Sequence, residues 1–167
     1  MDTTALRDAY RTLLDAAATV AGSEAGPSPV PPPGEWSAEQ ILAHIALLNA
    51  TTLTTVCSVA TAAVTPYDNR TSADTWTLDR MIALSGGAAG LRDRIAAQAD
   101  ALCGLAGTLS AAELDTPVPT LLLSGGALML DQPVPLGGLI SGLADSELPG
   151  HTRQLLALLP DGVPAAT

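Results

Sequence analysis

The feature that most constrains the fold is a stretch rich in proline and glycine, GSEAGPSPVPPPGE, at residues 22–35. Proline lacks an N–H and fixes φ, so this stretch can form neither a helix interior nor a central strand. A link of this length lets the chain cross the end of a helical bundle before it turns back. The segment before the link predicts an amphipathic helix over residues 4–21, because its apolar residues recur at helical spacing: Leu6, Tyr10, Leu13, Leu14, Ala17 and Val20.

A second helix is predicted directly after the link. In WSAEQI, residues 36–41, the serine and glutamine have the spacing of a capping box, and the tryptophan and isoleucine that of a hydrophobic staple. The helix should end near Ala63, before Thr65-Pro66. A third helical segment is predicted from Ser72 to about Ala106, with a bend or break at Gly86-Gly87.

A β-hairpin is predicted between the third helical segment and a fourth one at residues 136–159. Two short apolar runs, 120–123 and 127–130, flank Ser124-Gly125-Gly126, and prolines on both shoulders should keep the strands short. The predicted fold is all-α, a four-helix bundle with a short β-hairpin inserted before the last helix. A length of 167 residues suits one domain, residues 1–167.

Composition and charge exclude several classes of function. The net charge is −10, and all seven cations are arginines. Without lysine there can be no Schiff-base lysine and no phosphate-binding loop. A negative surface repels nucleic acid and anionic lipid, so neither is an expected partner. We expect a small-molecule substrate and a monomer or homodimer.

The cellular location and the state of the thiols can also be predicted. We expect no apolar run to be long enough to span a bilayer. The start, MDTTALRDAY, lacks the basic-then-apolar order of a secretory signal, which indicates a cytoplasmic protein. Cys57 and Cys103 lie in apolar helical contexts and are expected to be buried thiols.

The two histidines of the chain carry the main functional signal. Glu147 and His151 lie four residues apart, so on a helix they share one face and can bind the same metal ion. His44 lies among apolar neighbours in QILAHIALL, residues 40–48. Such a histidine is either a hydrogen-bonded core residue or a third ligand. We predict metal ligation by His44, Glu147 and His151 together.

Further candidates lie on the helices that carry these residues. Gln154, one turn beyond His151, is the candidate catalytic residue that orients a ligand or binds substrate; the alternative is an exposed helix residue. Pro149 predicts either a kink or a fresh helix capped by Ser146. The stripe that follows His44 continues through Leu48, Thr51, Thr55 and Ser58. Its three small hydroxyl residues predict the wall of a substrate cavity, unless they bond back to their own helix.

The segment PPPGEWSAEQILAHIALLN resembles the second-helix motif of the DinB-like four-helix metalloenzymes, in which a Trp-Ser pair precedes a helix with a histidine ligand. Residues 147–151, ELPGH, resemble the actinobacterial branch that contains the mycothiol-dependent maleylpyruvate isomerases. The resemblance implies that His44, Glu147 and His151 form a metal triad with zinc as the usual occupant. It also implies a low-molecular-weight thiol such as mycothiol as cofactor. Where the branch commonly has aspartate, this chain has Gln154.

Two imidazoles and a carboxylate leave an open coordination position, as in catalytic zinc sites. The sequence therefore predicts a zinc enzyme, or one using another divalent transition metal, that acts on a small electrophilic or carbonyl substrate. Isomerisation and thiol transfer are the expected reactions, with the metal as Lewis acid. The alternatives are a cyclase or other tailoring enzyme of bacterial secondary metabolism, and a non-catalytic small-molecule-binding protein with a vestigial site.

Overall fold

A computed structural model describes residues 1–23, 31 and 35–159 of the chain. It shows a helical bundle with a small sheet inserted before the last helical segment, as the sequence predicts. The crossing link predicted at residues 22–35 lies largely outside the described residues. The helices and strands are α1 (Thr4–Ser23), α2 (Ala38–Ala60), β1 (Tyr67–Asp68), a 3-10 turn (Arg70–Ala73), α3 (Thr75–Ser85), α4 (Ala88–Thr108), α5 (Ala111–Leu114), β2 (Pro117–Ser124), β3 (Ala127–Pro135), α6 (Leu136–Gly142), a π turn (Leu143–Glu147) and α7 (Leu148–Leu156).

The central helix α2 begins where its capping residues predict. The Ser37 side chain accepts from the Gln40 N–H, and the Gln40 side chain accepts from the Ser37 N–H, so the capping box is complete. The helix packs mainly on α4, while α1 packs mainly on α7. It ends at Ala60 rather than near Ala63, because Ala62 adopts a left-handed conformation with φ 59°.

By length and composition, α2 could also cross a membrane, with a mean hydropathy of 1.4 over its most apolar window. The expectation that no apolar run reaches this length is therefore wrong. Within the bundle, 61% of that window is buried, as is usual for the core helix of a folded domain. The expectation of two buried thiols is wrong for one of them: Cys103 is buried in α4, but Cys57 faces outward from α2.

The third predicted helix is broken at its glycine pair. Gly86 adopts left-handed angles with φ 76° and ends α3, and Gly87 follows with φ 83° before α4 begins. An L-residue is disfavoured at such angles, which explains why glycine stands there.

Two glycine-to-alanine substitutions should therefore change stability in opposite directions. Gly86→Ala should lower the free energy of unfolding by about 1–2 kcal/mol, because alanine is strained at this φ. Gly104→Ala, in the interior of α4 with open space around it, should raise it by about 0.5–1 kcal/mol. Urea denaturation of both variants checks the pair; a stabilised Gly86→Ala would contradict the left-handed cap.

The hairpin extends further than the prediction, since its strands run through the flanking prolines. Pro117 pairs with Pro135, and Pro119 with Pro133. These pairs alternate with Val118–Val134, so the missing N–H groups fall at every second pair, as in the non-hydrogen-bonded pairs of an antiparallel ladder. Strand β1 adds to β2 in parallel, giving the order β1-β2-β3.

The last helical segment accommodates Pro149 through a π turn and not through a fresh helix capped by Ser146. Ser146 caps nothing; instead the Leu148 N–H bonds the Leu143 carbonyl across a π turn. A wider turn relieves the clash between the ring of Pro149 and the carbonyl four residues before it. The extra residue also shifts the buried stripe, which steps from Leu143 to Leu148, while Glu147 stays exposed.

Candidate metal centre

Three side chains from two distant parts of the chain converge at one end of the bundle. His44 comes from the first half of α2, Glu147 from the end of the π turn and His151 from α7. One ligand atom of each lies within 4.8 Å of the others. The His151 Nε2 is 3.5 Å from the Glu147 Oε2. The structure thus brings together all three residues that the sequence singles out as candidate ligands.

The orientation of His44 is fixed by a backbone contact. Its Nδ1 lies 2.7 Å from the carbonyl oxygen of Ser72, which can only accept, so Nδ1 carries the proton and Nε2 has a free lone pair. Burial, and next the neighbouring His151, lower the pKa of His44 to about 4. The ring is therefore neutral near neutral pH, which is the form that binds metal.

His151 is oriented by its own helix. Its Nδ1 lies 2.9 Å from the Gln154 Oε1, and an amide oxygen only accepts, so the free lone pair is again on Nε2. The nearby His151, whose Nε2 faces the carboxylate, is the main cause of the lowered pKa of Glu147. The site therefore presents two imidazole nitrogens and one carboxylate.

An indole ring covers one side of the two imidazoles. The Trp36 ring centroid lies 4.8 Å from that of His44, and 6.2 Å from that of His151, to which it is nearly parallel at 17°. The two imidazole centroids are 4.7 Å apart. Trp36 covers this side of the cluster, because its apolar ring lies beside both imidazoles.

A cavity of about 630 Å³ opens beside the cluster. Its volume is in the range of small-molecule sites. The three candidate ligands, Trp36 and Gln154 form one part of its wall. The rest of the wall comes from the segment before α2, the turn before α3 and the hairpin tip: Glu35, Asn69, Arg70, Ala73, Asp74, Leu123, Ser124, Gly125 and Gly126.

The family model of the DinB superfamily matches residues 3–139, which is most of the chain. The chain belongs to the DinB superfamily. The match includes His44 and ends before Glu147 and His151, so the role of these two residues rests on the geometry above. No curated protein and no solved structure matches the chain significantly.

The donor set of this DinB-superfamily protein fits a divalent transition-metal ion. Imidazole and carboxylate are ligands for such ions, and each imidazole has a hydrogen-bond acceptor on its other nitrogen, as is usual for metal-bound histidine. The cavity beside the three side chains leaves room for a further ligand. The cluster could therefore hold a metal ion with an open coordination position.

The predicted substrate-wall residues of α2 do not line this cavity. Leu48 and Thr55 are buried in the bundle, and Thr51 and Ser58 are half-buried further along the helix. The hydroxyls of Thr51 and Thr55 bond back to carbonyls four residues earlier, and Ser58 accepts a hydrogen bond from Thr65. The prediction is wrong for this cavity because the stripe leads from His44 away from it, towards the far end of α2.

Several residues that build the site carry no sequence signal for it. Asn69 and Ser72 belong to a short turn whose partners lie far away in sequence, on α2 and β2. Trp36 was assigned to a hydrophobic staple, and its contact with both imidazoles depends on the packing of α7 against α2. The hairpin tip was predicted as a turn, but its place beside the cluster follows only from the tertiary fold.

Proposed function

We propose that this protein is a metal-dependent enzyme with zinc, or another divalent transition metal, bound by His44, Glu147 and His151. The observation that carries the proposal is the convergence of the three donors within 4.8 Å beside an open cavity. When bound, such a metal supplies Lewis acidity that polarises a carbonyl or another electrophilic group. The substrate class we propose is a small electrophilic or carbonyl compound, and the reaction isomerisation or thiol transfer.

The chain's own residues contribute orientation and shielding. The Ser72 carbonyl and Gln154 hold the two imidazoles in the tautomer that presents Nε2 to the cluster. Trp36 excludes water from one side, and the cavity admits substrate from the other. Arg70 is the one cationic side chain among the residues that line the described cavity, and it is bound to Asp68.

A low-molecular-weight thiol such as mycothiol remains part of the proposal. Its support is the likeness of ELPGH, residues 147–151, to the maleylpyruvate isomerase branch, together with a cavity large enough for a thiol group next to the cluster. A cytoplasmic location and a monomer or homodimer complete the proposal. The low predicted affinity of so acidic a chain for nucleic acid and anionic lipid supports the choice of a small-molecule substrate.

The experiment that tests the proposed function uses protein loaded with Co²⁺, whose d–d absorption reports the ligands of the metal. Acetohydroxamate and 2-mercaptoethanol are titrated separately as an oxygen-donor and a thiol probe. We expect the spectrum to change saturably with at least one of them, since a catalytic site keeps an open position. A spectrum that neither probe changes would mean a closed structural site, and the enzymatic proposal would be wrong.

Gln154 should raise the affinity for the metal by orienting the His151 imidazole. Gln154→Leu removes the acceptor for the Nδ1–H, and we expect Co²⁺ affinity to fall about tenfold to 100-fold. Gln154→Glu retains an acceptor and adds charge, so affinity should be equal or higher. Competition against a chromogenic chelator measures both, and Arg153→Leu is the neighbouring exposed control. Equal affinities for Gln154→Leu and wild type would rule out this role.

A further inference from the structure

We propose that Asn69 is a positioning residue that holds both the His44 imidazole and the hairpin wall of the cavity in place. The inference rests on the proposed function where it concerns the metal, and on the metal-free structure where it concerns the orientation of His44. Asn69 is buried and lines the cavity without being a candidate ligand itself.

The side chain of Asn69 takes the place of the next backbone pair between β1 and β2. Strand β1 pairs with β2 only through Tyr67 and Asp68. At the next position the chain leaves the sheet, and the Asn69 amide takes over the pairing. Its Nδ2 donates to the Leu123 carbonyl at 2.9 Å, and the Leu123 N–H donates to its Oδ1 at 2.8 Å.

An irregularity in the hairpin lies at the same place. The register of β2 against β3 shifts between Leu122 and Leu123, so that Met129 has no partner of its own. Such a bulge disrupts the ladder locally and re-aims the groups beside it. Here both backbone polar groups of Leu123 point towards Asn69, at the point where the hairpin tip begins to line the cavity.

The backbone of Asn69 starts the turn that holds His44. Its carbonyl accepts from the Ser72 N–H at 3.1 Å and from the Ser72 Oγ at 2.7 Å. These two bonds close the turn and place the Ser72 carbonyl, which accepts from the His44 Nδ1–H at 2.7 Å. One residue therefore joins the cavity wall to the orientation of a candidate ligand through short hydrogen bonds.

The hydrogen bonds of the Asn69 side chain and backbone fix the position of this turn relative to β2. Without the Asn69 amide, the turn would be joined to β2 at this point only by the long Asn69 N–H to Leu121 carbonyl bond of 3.4 Å. The Ser72 carbonyl would then vary in position, and His44 would lose its fixed tautomer. The start of the hairpin tip would also lose its two hydrogen bonds to the Asn69 side chain.

The test compares Asn69→Ala with wild type in two measurements. In metal-free protein, ¹⁵N–¹H correlation spectra of the imidazoles distinguish the Nδ1–H from the Nε2–H tautomer. We expect His44 to be in the Nδ1–H form in wild type and a mixture in Asn69→Ala, with faster amide exchange at Leu123. In Co²⁺ titrations, affinity should fall about tenfold, at the low end for outer partners of a ligand.

Two further variants keep the test decisive. Ser72→Ala removes one bond of the same connection and should shift both measurements in the same direction by less, which covers a failure of Asn69→Ala to fold. Thr77→Ala removes an exposed hydrogen bond to Asp74 in the adjoining segment and should change neither measurement. Wild-type tautomer and Co²⁺ affinity in Asn69→Ala would overturn the inference. Absence of Co²⁺ binding by wild type would instead contradict the proposed function. The tautomer measurement would still show whether Asn69 orients His44.

Discussion

Replacement of His44 by alanine is expected to weaken the binding of Zn²⁺ or Co²⁺ by at least about 100-fold, since loss of a ligand should cost more than loss of an outer partner. Two donors would remain, Glu147 and His151, of which the carboxylate is half-exposed. Competition with a chelator of known affinity measures the change. Circular dichroism shows whether the helical fold survives.

The matched control for His44→Ala is Thr55→Val on the same helix. Thr55 is equally buried, but its hydroxyl bonds only the Thr51 carbonyl and lies outside the cavity. We expect metal affinity equal to wild type in this variant. Equal loss in both variants would mean that any disturbance of α2 impairs binding, and the specific role of His44 would be contradicted.

The largest loss of stability from a polar substitution is expected at Asn49. This residue is fully buried, and its Oδ1 accepts from the Tyr10 hydroxyl at 2.6 Å while its amide donates to Gln98 at 3.4 Å. Gln98 in turn donates to the Ala46 carbonyl at 2.9 Å, so the network joins α1, α2 and α4. Burial raises the pKa of Tyr10, so its hydroxyl stays protonated and needs an acceptor.

Asn49→Ala should lower the free energy of unfolding by about 2–4 kcal/mol, from an unsatisfied buried hydroxyl and a small cavity. In a chain of this size the melting temperature should fall by roughly 5–15 °C. A double-mutant cycle with Tyr10→Phe isolates the contact, and we expect a coupling of about 1 kcal/mol or more. Purely additive losses would show that the two side chains do not depend on each other.

The bundle was predictable because its signals are local. The complete capping box at Ser37 and Gln40 lies within one turn of sequence, and the buried stripe of α1 repeats at helical spacing. The break at Gly86-Gly87 was predictable for the same reason, since left-handed angles select glycine. The π turn was not, because the sequence shows that Pro149 must be accommodated but not which of several geometries does so.

The candidate ligands were predictable from residue type and spacing, whereas the cavity was not. The pairing of Glu147 with His151 is set by one helical turn, and His44 was the one other histidine available. The wall of the cavity comes from Asn69 and the hairpin tip, whose mutual contact spans 54 positions of the chain. The stripe of α2 indicated a polar wall in the right helix, but periodicity gives the face of a helix and not the position along it that borders a cavity.

We propose above that His44, Glu147 and His151 together hold one metal ion. The most direct test is elemental analysis of wild-type protein purified without added metal and without chelator, followed by dialysis against Zn²⁺ if the metal content is low. We expect about one equivalent of a divalent transition metal per chain, and none in the His44→Ala variant treated identically. Wild-type protein that carries no metal and takes up none from Zn²⁺, or a His44→Ala variant with the same content as wild type, would contradict the claim.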